Sequence, residues 1–124
     1  MTAARRRRGL LARRSGRRGE VLAALLLMAK GYRILGFRLA AKQGEIDLLA
    51  LRGRVLAVVE VKRRATLEIA LEAVQAGQRE RLRRAATAIV AGRPALKDVT
   101  IRLDLMALAP GRLPRHVPDA WRGG

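Results

Sequence analysis

The chain has no cysteine in its 124 residues, which excludes disulfides, cysteine-ligated zinc and thiol nucleophiles. Its only aromatic residues are Tyr32, Phe37 and Trp121, so any core must be aliphatic, and stacking of bases on an aromatic platform is not expected. Ser15 is its one serine and His116 its one histidine, too few for a serine–histidine nucleophile triad. Acidic residues are scarce as well, 10 against 27 Lys and Arg, for a formal net charge of +17. Such an imbalance exceeds what solubility requires and points to a polyanionic partner, nucleic acid first and an acidic membrane surface second. A charged surface without a specific partner is the plainer alternative. Long apolar runs are missing too: Val21–Ala29, at nine residues, falls well short of the ~20 needed to span a bilayer. Behind an Arg-rich start this run has the outline of a signal peptide, yet Glu20 interrupts the junction, Lys30 closes the run, and no small-residue cleavage site follows. The expected location is therefore the cytoplasm, with which the lack of cysteine agrees.

What is present divides the chain into an arm and a domain. Residues 1–14 read as a basic, disordered arm with little to bury, and residues 15–124 as a single domain whose tail, from about residue 109, is rich in Pro, Gly and Arg. A helix is predicted over 16–30, with Glu20 in its first turn, Lys30 in its last and Gly31 in the left-handed position that ends it. Its run Val21–Ala29 is apolar on every side, which predicts burial against a sheet. Strands are predicted at 32–40, 45–51, 54–62 and 99–108. A second helix, 75–91, has Leu82, Ala85, Ala86, Ile89 and Val90 along one stripe. Its other face carries Arg79, Arg81, Arg83 and Arg84, read as a solvated face or as a row of phosphate contacts. Residues 66–74 fit either a helical turn or a loop.

The second and third strands make a geometric test. With Arg52 and Gly53 as a two-residue loop, Glu45 faces Glu60 and Asp47 faces Val58. Alternation then puts Glu45, Asp47, Leu49, Leu51, Leu56, Val58, Glu60 and Lys62 on one face, and Ile46, Leu48, Ala50, Val55, Ala57, Val59 and Val61 on the other. Strands apolar on both faces belong in a covered sheet, where a cluster of carboxylates needs a counter-charge. A hard divalent cation takes one or two carboxylates together with phosphate and water, which Asp47 and Glu60 can supply. Lys62, on the same face, could orient a water or stabilise charge developing on phosphorus. The structural alternative is a plain ion pair of Lys62 with Glu60 or Asp47.

The stretches "GRRGEVLAALLLMAKGYRIL", "GEIDLLA", "VVEVKRR", "ALEAVQAGQRERLRRAA" and "PRHVPDAW" together resemble the YraN family, relatives of Holliday-junction resolvases within the PD-(D/E)xK nuclease superfamily. The resemblance spans about 16–121. It implies a restriction-endonuclease-like α/β core, with Asp47 and Glu60 as metal ligands and Lys62 as the catalytic lysine. It also implies a direct or outer contact of Glu20 with the metal, and a role for Gln78 in holding phosphate. Glu45 falls in the "GEID" motif without an assigned role. Ile46 stands where the superfamily's name has proline, and Gly77 where many relatives have lysine.

The expected fold is thus α/β: a mixed, mostly antiparallel sheet of four or more strands flanked by helices. The expected function is Mg²⁺- or Mn²⁺-dependent endonucleolytic hydrolysis of nucleic acid, DNA first and branched DNA among the substrates. The rival reading is a non-catalytic nucleic-acid-binding protein whose acidic cluster is structural or vestigial; a third is an interaction module that lays its basic arm on an acidic partner. No membrane partner is expected, and a dimer is compatible with the sequence without being required by it. Asp104 reads as an edge-strand salt bridge, Tyr32 and Phe37 as core fillers, Trp121 as an anchor for the tail, and His116 as a surface or tail-packing residue.

Overall fold

The computed structural model describes residues 18–42, 44–73 and 76–121; the basic arm expected at residues 1–14 lies outside them. Within 18–29 the chain is helical (α1). The helix ends where Gly31 turns left-handed at φ +93, with the Tyr32 N–H bonded to Leu27 O and the Gly31 N–H to Met28 O. This is the Schellman pattern, in which the last helical carbonyls are satisfied by the two residues past the cap. Gly19 lets α1 approach closely, since a Cβ there would lie 2.6 Å from Leu108 Cδ1.

The remaining elements, in order, are β1 (Arg33–Ala41), β2 (Gly44–Arg52), β3 (Val55–Arg63), α2 (Leu67–Glu72), α3 (Ala76–Ala91), a 3₁₀ turn (Pro94–Leu96), β4 (Thr100–Leu108) and β5 (Arg115–Val117). The strands form one sheet ordered β1-β2-β3-β4-β5. All neighbours are antiparallel except β3 and β4, which are joined through the helices and run parallel. The ambiguous stretch at 66–74 contains α2, capped by the Thr66 side chain on the Ile69 N–H. β5 is a fifth strand that the Pro- and Arg-rich tail did not announce.

Each sheet face has its own core. Toward α3, Leu49, Leu56, Val58, Leu103 and Leu105 pack with Leu82, Ala85, Ala86 and the tail anchor Trp121. Toward α1, Leu48, Ala50, Ala57, Val59 and Met106 pack with Ala23, Ala24, Leu27 and Tyr32. With each large aliphatic side chain contributing roughly 1.5–3 kcal/mol on full burial, the paired apolar faces of β2 and β3 form the centre of stability.

Several expectations need correction. First, the hairpin loop is Gly53–Arg54, not Arg52–Gly53: Arg52 pairs with Val55 and Leu48 with Val59, because glycine takes the first loop position at φ +59. The register therefore moves by two, which preserves the faces but removes Glu45 from opposite Glu60. Second, Ile46 packs with the α3-side core rather than with Leu48. Alternation breaks at the level of Asp47, opposite Arg38, whose φ of +50 is left-handed. Third, α1 is not enclosed: Ala23, Ala24 and Leu27 meet the sheet, while Val21, Leu22, Leu25 and Met28 are each at least half exposed. Phe37, expected in the core, is also exposed. Fourth, Asp104 lies on an inner strand and is fully buried.

Candidate active site

The acidic residues meet where β2 begins and β3 ends. Beyond the last paired residues, Leu48 and Val59, the Val61 N–H donates to Asp47 Oδ2 at 2.8 Å. Asp47 thus replaces a ladder acceptor, and its carboxylate is drawn to the end of β3. Glu60 is almost wholly buried. Its Oε1 lies 3.4 Å from Lys62 Nζ, and its Oε2 lies 3.8 Å from Arg81 Nη2, too far for a hydrogen bond. Glu60 Oε2 is accordingly a buried oxygen without a hydrogen-bond partner, as is Gln78 Oε1.

Electrostatics describe the same shortage of donors. Burial pushes the Asp47 carboxyl up to about 6, with the neighbouring charge of Glu60 adding to it and the Val61 N–H opposing. Glu20 and Glu45 act in the same direction from farther away. A part-buried Asp47 carboxyl raised by burial and by its acidic neighbour, beside a buried Glu60 oxygen without a hydrogen-bond donor, is the donor set a hard cation suits.

Of the residues singled out from the sequence, the structure brings Asp47, Glu60 and Lys62 together. Glu20, on α1, is close enough for its charge to act on Asp47, but its Oε1 accepts a 2.9 Å hydrogen bond from Arg38 Nε. Among the described residues, no group of three or more His, Cys, Asp or Glu side chains converges to hold a metal ion. Gln78 sits in the first turns of α3 and makes no hydrogen bond to the acidic pair. Glu45 is exposed, and it is its carbonyl, not its carboxylate, that faces Arg81, at 3.4 Å.

One group of residues escaped the sequence reading, and a second was read in part: the salt bridge expected at Asp104 and the tail-packing role open to His116 are present, while their burial and their tie to Tyr32 were not foreseen. Arg38 and Arg81 both reach the acidic cluster, although nothing in the sequence separates Arg81 from the other arginines of its helix. The second group lies on the α1 side of β4. Arg102 donates to both Asp104 oxygens at 2.8 Å and also to the Tyr32 hydroxyl. His116 Nε2 lies 2.8 Å from Asp104 Oδ2 and its Nδ1 lies 2.9 Å from Lys30 Nζ. Because an ammonium only donates, Nδ1 is the acceptor and Nε2–H the donor to Asp104. The His116 side chain is buried, not a surface group, and its contacts fasten β5 and the end of α1 to β4.

A five-stranded mixed sheet covered by helices, with an acidic pair and a lysine at one end of its central strands, defines an α/β protein with a restriction-endonuclease-like core. The sequence pattern of the uncharacterised protein family UPF0102, the YraN family of the motifs above, matches residues 19–108. The chain belongs to this family. It is 69% identical over 119 residues to a UPF0102 protein of Caulobacter vibrioides, covering 96% of this chain and 95% of that one. It is 50% identical over 115 residues to one of Paramagnetospirillum magneticum, covering 90% and 89%, and 51% identical over 106 residues to one of Methylorubrum extorquens, covering 86% and 83%.

Proposed function

We propose that this protein is a metal-dependent endonuclease that hydrolyses phosphodiester bonds of nucleic acid, DNA in the first instance, with Asp47, Glu60 and Lys62 at its reaction centre. The observation that carries this reading is the pairing of the buried Glu60 carboxylate, which has an unpartnered oxygen, with the part-buried Asp47 carboxylate, beside a lysine in a chain of net charge +17. Asp47 and Glu60 would hold Mg²⁺ or Mn²⁺. When bound, such an ion supplies charge stabilisation at the phosphate and makes water a better nucleophile. Lys62 Nζ, loosely held at 3.4 Å from Glu60, can turn to a non-bridging phosphate oxygen and stabilise the negative charge that grows there. The Val61 N–H fixes the direction of the Asp47 carboxylate. Gln78, whose amide oxygen is unsatisfied, can hold a water or a donor of the substrate at the start of α3. Glu20, tied to Arg38, acts on Asp47 through space rather than as a third ligand.

One observation favours the rival, a nucleic-acid-binding protein with a structural acidic cluster: Glu20 and Glu60 both already have basic neighbours, Arg38, Lys62 and Arg81. Cleavage of flapped, branched, single-stranded and RNA substrates with Mg²⁺ or Mn²⁺ separates the two. The enzyme reading expects Asp47→Ala and Lys62→Ala to lose at least ~10²-fold in rate while still binding the substrate. Wild-type protein that binds but cleaves none of them establishes the rival. Among the described residues no helix is long and apolar enough to cross a membrane.

A further inference from the structure

We propose that Arg81 is a phosphate-contacting residue of this site, parked on Glu60 in the substrate-free protein and released to the substrate when a cation takes its place. The inference rests on the nuclease reading above and adds a residue to it. Arg81 lies in the second turn of α3, and its guanidinium is found beside Glu60 of the acidic pair. It gets there because Gly44 has no side chain: a Cβ at that position would come within 2.6 Å of Arg81 Nη1 and 3.2 Å of its Cδ. One turn earlier on the helix, Gly77 faces open space and contributes no charge.

The contacts of Arg81 are those of a residue that can leave. Its Nη2 stands 3.8 Å from Glu60 Oε2, its Nη1 is 3.4 Å from Glu45 O, and its side chain is 35% exposed. Arg102 in the same molecule shows what a fixed arginine looks like, with two 2.8 Å hydrogen bonds to the fully buried Asp104. Arg81 instead leaves its target oxygen unsatisfied, so a cation arriving at Glu60 would repel it and cost it little. Its planar fork, freed at the edge of the acidic pair, matches two oxygens of one phosphate. Arg81 and the metal therefore compete for Glu60 but cooperate on the substrate.

The test measures two affinities that move in opposite directions. In Arg81→Gln, Mn²⁺ binding followed by calorimetry is expected to tighten three- to tenfold, because a positive neighbour is gone. Binding of a DNA duplex in Ca²⁺, followed by anisotropy, is expected to weaken at least fivefold, with the slope of log K against log salt smaller by about one. Arg81→Lys keeps the charge but not the fork and should recover the Mn²⁺ affinity of the wild type with only part of the DNA affinity. Lys97→Gln, at the opposite end of the sheet, controls for net charge. If Asp47→Ala abolishes Mn²⁺ binding while Arg81→Gln changes both affinities by less than twofold, or no more than Lys97→Gln does, the Arg81 assignment is overturned and the metal site stands. If Asp47→Ala leaves Mn²⁺ binding intact, the metal site itself is wrong and the assignment falls with it.

Discussion

Asp104 is a fully buried carboxylate and Asp47 a part-buried one at the end of the sheet, and their surroundings push them in opposite directions. For Asp104, burial alone would raise its pKa, but hydrogen bonds from Arg102, His116 and the Asp119 N–H together outweigh it and hold the group below its ordinary value. A group depressed in the folded state adds stability above its unfolded pKa and loses it as pH falls through the folded one. Acid unfolding should therefore set in below about pH 4, and Asp104→Asn should lose most of this acid-sensitive step. Truncating Arg102 should cost about 3–5 kcal/mol in denaturant melts, since it leaves a buried charge uncompensated; a loss under 1 kcal/mol would contradict this account. Asp47 has the reverse sign. Raised to about 6 by burial first and by Glu60 next, it contributes stability to the metal-free fold at low pH and loses it as pH rises through 6. Asp47→Asn keeps an acceptor for the Val61 N–H and removes the ionisation. It is expected to leave metal-free protein at least as stable at pH 7 as the wild type, and to abolish the rise in melting temperature that Mn²⁺ gives the wild type. A stabilising effect of Mn²⁺ that survives Asp47→Asn would sink the proposed ligand role.

At the scale of elements, the central strands and α3 were legible because their apolar residues follow one period without interruption: Leu48, Ala50, Ala57 and Val59 on one face, and Leu82, Ala85 and Ala86 on one helical stripe. What the sequence hid was local geometry. Whether glycine takes the first or second place in a two-residue loop shifts the register by two without disturbing either face, so hydrophobic patterning cannot detect the error. The break in alternation at Arg38 and Asp47 is equally silent, and it sends Ile46 to the α3 side. The juxtaposition of Asp47, Glu60 and Lys62 was legible despite both errors because the three stay at the same end of the same two strands in either register. β5 was missed because three residues between prolines carry no periodic signal. The helix α1 was read correctly as an element and wrongly as an environment: its uniform apolarity suggested enclosure, while Ala23, Ala24 and Leu27 are buried on the sheet with Leu26 partly so, and Val21, Leu22, Leu25 and Met28 are open. Leu27→Ala is therefore expected to cost about 2–5 kcal/mol, and Leu25→Glu, on the open face, no more than about 0.5 kcal/mol. Comparable losses for the two, read from urea midpoints at constant m-value, would mean that the open face is covered in solution.

At the scale of the whole molecule, the charge is out of proportion to its local pairing. Glu20, Glu60 and Asp104 each sit beside basic groups, yet 27 Lys and Arg stand against only 10 Asp and Glu, which leaves a net charge of +17 that the chain's own acids cannot neutralise. If that excess serves nucleic acid, binding must release condensed counterions and log K must fall linearly with log salt, by about 0.9 for each duplex phosphate neutralised. Six of the arginines, Arg5, Arg6, Arg7, Arg8, Arg13 and Arg14, belong to the first 14 residues. Deleting 1–14 is expected to flatten the slope by up to about five and to weaken binding most at low salt, while leaving the pH profile of folding, set by Asp47 and Asp104, as it was. On the proposed reading, arm and site would act on different terms: the arm on encounter and affinity for any polyanion, the acidic pair on the bond that breaks. Deletion of the arm should raise KM on a cleaved substrate and leave kcat within about twofold, whereas Lys62→Ala should do the opposite. A truncated protein whose salt slope matches that of the full chain would show that the first 14 residues contact no phosphate, and the net charge would then need another explanation.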